Sequence, residues 1–162
     1  METLLYIGSE DLPPRSARNC KQELKIIDSS ITKRNINGDL IPLRKSRKLW
    51  TRITCEDQKI PDVLAYEIGD VIDIGCIQRL WKKVTPGAAF KLRHQPCAHS
   101  VLGHNKRGDT IHNFDDQQEA IAPKIVEFVS YRPWLHILIT KIETTYHEWD
   151  QTASWILEGE EV

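Results

Sequence analysis

Five side chains that bind borderline metal ions fall within a stretch of 19 residues: His94, Cys97, His99, His104 and His112. Imidazole nitrogens and a thiolate are the donors that hold zinc in a tetrahedron. Their spacing matches no regular zinc motif, because the chain has neither a Cys-x2-Cys pair nor a His-x3-His pair here. His99 and His104 are separated by four residues that include Gly103, a spacing that permits a shared ion without specifying one. The stretch therefore reads as solvated loop histidines, with no metal and no other cofactor expected. A zinc-stabilised or hydrolytic domain is the reading this sets aside.

Other reactive constellations are weaker. Gly-x-Ser-x-Gly is absent, and a Cys97–His136 couple would need a geometry that sequence spacing does not supply. Asp109, Asp115, Asp116 and Glu119 offer paired carboxylates, but a glycosidase sets such a pair in an aromatic cleft, and this stretch holds only Phe114. No enzymatic activity is expected. Arg44-Lys45-Ser46-Arg47-Lys48 stands next to Trp50. Basic residues beside an aromatic suit a groove for single-stranded nucleic acid, which makes a β-barrel nucleic-acid-binding module one alternative. A lysine-rich strand edge that blocks unwanted pairing explains the same residues and is preferred. Trp81, Trp134, Trp149 and Trp155 read as core or interface anchors.

The elements that must position these residues are strands. Asn37-Gly38 lies between Ile31–Ile36 and Asp39–Leu43, the strongest short-range hairpin signal, with positive φ expected at both turn positions. Trp134–Ile142 reads as a long strand, apolar enough to be buried on both faces, which turns through Glu148–Gln151 into Ala153–Leu157. Lys21–Ile27, Leu49–Cys55 and Val71–Trp81 carry further strand patterns, with one helical turn expected to start at Pro61. Residues 8–19, with Pro13-Pro14, read as a loop or arm. Residues 95–121 are punctuated by Gly and Asn without a sustained period and read as a long irregular loop. No repeat and no amphipathic helix longer than two turns is evident. The expected fold is all-β: a single β-barrel or β-sandwich domain over residues 1–162, with antiparallel hairpins.

At 162 residues, 40% hydrophobic and 28% charged, the composition is that of one globular domain with a real core. No apolar run approaches the ~20 residues of a membrane helix, and the N-terminus lacks a secretory pattern, so folding in the cytoplasm of the producing cell is expected. Charge is unevenly spread. Residues 1–106 carry 18 Lys and Arg against 12 Asp and Glu, whereas residues 107–162 carry 4 against 11. Chance plus a solvated acidic tail is the preferred reading of this split. The alternative is a dipolar subunit that would meet neighbours through Arg44, Lys45, Arg47 and Lys48 on one side and Glu158, Glu160 and Glu161 on the other, with Trp149 as a further contact. Of the four cysteines, Cys55 and Cys76 sit on strands that would bring their sulfurs together if the strands pair; reduced, buried thiols are the preferred reading.

Several phrases resemble a family of small tail proteins of tailed bacteriophages and prophages. They are Arg34-Asn35-Ile36-Asn37-Gly38-Asp39-Leu40, Thr54-Cys55-Glu56-Asp57-Gln58 and Val71-Ile72-Asp73-Ile74-Gly75-Cys76. The ending resembles it too: Tyr131-Arg132-Pro133 to Glu143, Glu148-Trp149-Asp150, and Trp155 to Val162. The likeness spans residues 18–81 and 124–162. It implies a virion component in the tail, made in the host bacterial cytoplasm and built as a β-barrel or β-sandwich, with no catalytic residues. A ring-forming distal tail or baseplate adaptor is the primary expectation, and a tail-tube or head–tail joining protein the alternative. Its partners would be copies of itself in a ring and neighbouring tail proteins, with no membrane and no specific nucleic acid, although DNA would pass through an assembled lumen.

Overall fold

Two-residue alternation carries straight into the longest strands. In a computed structural model, residues 3–8, 10–28, 32–42 and 47–162 are described. Strands β1 (Tyr6–Ile7), β2 (Glu10–Asp11), β3 (Cys20–Asp28), β4 (Thr32–Arg34) and β5 (Leu40–Pro42) precede β6 (Arg47–Asp57). A 3-10 turn at Asp62–Ala65 follows Pro61, as expected. Then come β7 (Val71–Gly75), β8 (Leu80–Lys83), β9 (Ala89–Lys91), β10 (Val101–His104) and β11 (Thr110–Asp115). The chain closes with β12 (Glu119–Ile121), β13 (Phe128–Tyr131), β14 (Trp134–His147) and β15 (Thr152–Glu161). No α-helix occurs among the described residues.

The main sheet has seven antiparallel strands in the order β2-β1-β7-β14-β15-β6-β3 and curls into a half-barrel. The all-β expectation is met. Inward-facing Leu49, Ile53 and Cys55 of β6, Ile72 and Ile74 of β7, Leu135, Ile137 and Ile139 of β14, and Trp155 and Leu157 of β15 fill its concave core. Burial of these branched and aromatic side chains is the main force holding the sheet. Only one face of β14 is buried: His136, Leu138 and Thr140 point out and are exposed. Sequence alone overcounted here, because Leu138 gives the outer face an apolar residue without covering it.

Everything between β7 and β14 forms a second layer. β8, β10, β11 and β13 make a four-stranded sheet in the order β11-β10-β13-β8, and β9 pairs with β12. Phe90, Leu92, Val101, Phe114, Val126, Val129 and Tyr131 make a second core, and Leu80 touches both cores. Residues 95–121 are therefore not the long loop their composition suggested. Their strands are short and interrupted by bulges at Val101/Leu102 and Gly103/His104, which erases the period-two signal. Gly103 is closely covered: an added Cβ would meet the Phe114 and Val126 side chains at 3.0 Å, and these would have to give way.

The Asn37-Gly38 hairpin is present as β4–β5, but its turn differs from the expected one. Gly38 has φ +86°, whereas Asn37 is not among the residues with positive φ. The Gly38 N–H donates to the Asn35 carbonyl at 3.0 Å and the Asn35 N–H to the Asp39 carbonyl at 2.9 Å, a three-residue loop ending in a left-handed glycine. The Asn35 side-chain oxygen accepts from the N–H groups of Asn37 and Asp39 at 2.9 and 2.8 Å. Asn105-Lys106-Arg107-Gly108-Asp109 repeats this device between β10 and β11, with Gly108 at φ +89° and Asn105 accepting from Arg107 and Asp109. A recurring Asn-x-x-Gly-Asp turn thus lies inside the supposed loop.

Residues 12–19 are packed down rather than free. Ser16 and Ala17 are buried, and the Arg15 carbonyl accepts from the N–H groups of Gln58 and Lys59 at 3.2 and 3.0 Å. The buried Asp57 carboxylate accepts from the Arg18 N–H at 2.9 Å and from its guanidinium at 2.6 Å. Hydrogen bonding from the Arg18 side chain holds the Asp57 pKa down at about 2 from an ordinary 3.8, outweighing the burial that would raise it. A depressed folded-state pKa stabilises fully above the unfolded value and loses that stabilisation as pH falls through the folded one. Asp57→Asn is expected to cost on the order of 1–3 kcal/mol at neutral pH. The gap between variant and wild type in urea midpoint should close between about pH 4 and pH 2; a gap constant over that window would remove the carboxylate from the account.

Candidate functional site

The histidines do not converge. His94 continues the inward alternation of Phe90 and Leu92 and is buried, with Nε2 2.9 Å from a Glu161 carboxylate oxygen and Nδ1 3.3 Å from the Tyr131 hydroxyl. His104 is also buried, stacked against Trp81 with ring centroids 4.5 Å apart. Its Nε2 lies 2.7 Å from the Ser130 hydroxyl, which also accepts from the Arg79 Nε–H at 2.9 Å. Burial first, and the nearby Arg79 charge besides, lower the His104 pKa and favour the neutral ring. His99 and His112 are exposed, the former 3.7 Å from Asp115 and the latter edge-on to Phe114. Cys97 is buried. Among the described residues no three His, Cys, Asp or Glu side chains gather as an ion would need. Two of the supposed loop histidines are thus internal hydrogen-bonding groups, and the run Phe90-Lys91-Leu92-Arg93-His94 was the signal for one of them. Burial also pushes the Cys76 thiol up to about 12 and raises the Cys97 thiol, so both stay protonated and unreactive at neutral pH.

The proposed contact residues divide. Arg44 and Lys45 lie outside the described residues. Arg47 and Lys48 are exposed at the start of β6, and Glu160 is exposed on β15. Trp149 is 97% exposed at the β14–β15 turn. Glu158 and Glu161 are not free contacts. Glu158 lies 3.3 Å from Arg52 Nε, an ion pair whose angles do not make a hydrogen bond. Glu161 accepts the Leu49 N–H at 3.0 Å besides contacting His94, and lies 3.9 Å from Arg93. The acidic ending is not a tail. It completes β15, flanked by β14 and β6, so basic residues of the first charge block already neutralise part of the second within one chain.

Sequence reasoning missed a cleft of about 280 Å³ where the two layers meet. Ile26 and Leu49 come to it from the main sheet, Trp81 and Tyr131 from the second layer, with Arg47, Lys82, Arg93 and His94 around them. Arg47, Lys82 and Arg93 are exposed, and Trp81 is 58% exposed. Such a recess offers aromatic and apolar surface under several positive charges. It suits a flat apolar group carrying carboxylates. Its lining comes from five separated parts of the chain, so no local pattern announces it. Compared with known proteins, the chain matches no family model and no curated sequence.

Proposed function

We propose that this chain is a structural subunit of a bacteriophage tail, a ring-forming adaptor of the distal tail or baseplate. The observation that carries the reading is the β14–β15 hairpin, whose distal half is exposed along β14 and which presents Tyr146 and Trp149 at 58% and 97% exposure. Ile36, Leu40 and Ile41 on the β4–β5 hairpin are exposed as well. Large apolar side chains held on projecting hairpins are what a subunit contributes to contacts made on assembly. The resemblance of residues 18–81 and 124–162 to tail proteins supplies the biological setting.

The test is location and shape together. The chain should be found by mass spectrometry in purified tails of the phage that encodes it, and negative-stain images of the concentrated protein should contain closed rings. Its absence from purified particles would overturn the tail assignment.

A further inference from the structure

We propose that the Glu148-Trp149-Asp150 tip of one copy seats in the Arg47/Trp81/Arg93 cleft of the next, joining copies head to tail. This rests on the self-assembly reading above and names its contact.

The tip is an exposed indole between two exposed carboxylates at the apex of a long hairpin. A single exposed tryptophan is not unusual in itself. Here it is held out by paired strands and flanked by charge of one sign. The cleft is the complement in both respects. Ile26 and Trp81, 60% and 58% exposed, offer it apolar and aromatic surface, and Arg47, Lys82 and Arg93 surround them with positive charge. Glu161, a carboxylate beside them, is already engaged by His94 and the Leu49 N–H; Asp28 stands opposite Arg47 in the β3–β6 register. An indole entering this recess would bury aromatic surface against Trp81, with Glu148 and Asp150 reaching the cationic side chains.

Geometry makes the contact intermolecular. β15 begins at Thr152, opposite His147 beside the tip, and ends at Glu161, which touches His94 in the cleft. The 10 residues of that strand span about 30 Å at ~3.3 Å each. Tip and cleft therefore sit at opposite ends of one strand, and a tip cannot fill its own cleft. A second copy must supply it. The joint uses different surfaces on the two copies, so each added copy leaves one tip and one cleft free, and the series closes into a ring or continues as a filament.

Two full-length variants test this. The tip variant carries Glu148→Gln, Trp149→Ala and Asp150→Asn; the cleft variant carries Arg47→Glu and Lys82→Glu. All five positions are exposed, so wild-type melting curves are expected for both. By sedimentation velocity the wild-type protein should associate, and its association should weaken as salt rises. Each variant alone should associate about 30-fold more weakly or worse, as when a buried tryptophan anchor is removed. An equimolar mixture of the two should form heterodimers and nothing larger, because the pair retains one intact tip and one intact cleft that meet each other. Wild-type association that survives both variants, or a mixture that gives no heterodimer, would assign assembly to other surfaces and overturn the proposed contact. A wild-type chain that stays monomeric at every concentration would overturn it too. The tail assignment is judged separately, by the presence of the chain in purified particles.

Discussion

Trp155→Ala is expected to lower stability by about 3–5 kcal/mol, the range for deleting a fully buried tryptophan. Trp155 is 0% exposed on β15 and shares the concave core with Ile53, Ile139 and Leu157. Its indole N–H donates to the Ser16 carbonyl at 2.9 Å, tying the buried part of the N-terminal segment to the sheet. Alanine would leave a cavity and also a buried carbonyl without that donor. Trp155→Phe separates the two effects: most of the ring stays while the carbonyl loses its partner, for about 1–3 kcal/mol. Urea midpoints at constant m-value are the measurement. A cost below about 1 kcal/mol for the alanine variant would mean that the core around β15 is not what holds the chain together.

The second large effect concerns Cys20 and Cys55. They stand directly opposite on β3 and β6, with Cα atoms 4.2 Å apart, and are joined as a disulfide. Their sequence separation of 35 closes a loop whose loss of freedom in the unfolded chain is worth about 3–4 kcal/mol. The double variant Cys20→Ser, Cys55→Ser should lose about that much, and the wild-type protein should lose a similar amount on reduction. Thiol titration of the denatured, unreduced chain should find two free thiols, those of Cys76 and Cys97. Four titrating thiols, with a melting temperature indifferent to reductant, would show that the two strands are paired without the bond. The pairing corrects the Cys55–Cys76 alternative and the reading of all four cysteines as reduced. β6 and β7 are separated in the sheet by β14 and β15, which puts Cys76 out of reach of Cys55.

Those cysteines show where sequence stops being sufficient. Alternation over Leu49–Cys55 sets Leu49, Thr51 and Ile53 on one face, because a strand's period of two is a local property of the backbone; the fold is what buries that face. The C-terminal hairpin and its turn over Glu148–Gln151 were legible for the same reason: each strand is long, and its partner follows it in the chain. The exposed Trp149 could be singled out, since an indole in a charged turn has little to pack against. Which strand neighbours which is not local. The partner of Cys55 depends on β3, rather than β7, lying beside β6, and the cleft depends on residues from β3, β6, β8 and the end of β13 meeting across two layers. Strands of three to six residues with bulges carry too few alternations to register, which hid the layer built from residues 95–121. Glu158 and Glu161 look in sequence like a solvated acidic end. Only their position on an interior strand, with Arg52, His94 and the Leu49 N–H within reach, turns them into internal partners. The sequence by itself determined an all-β chain and its longest strands, because those follow from residue-by-residue alternation. The tertiary structure alone decided the strand order, the second layer, the disulfide and the cleft, because each is made by side chains that meet only after distant segments have packed.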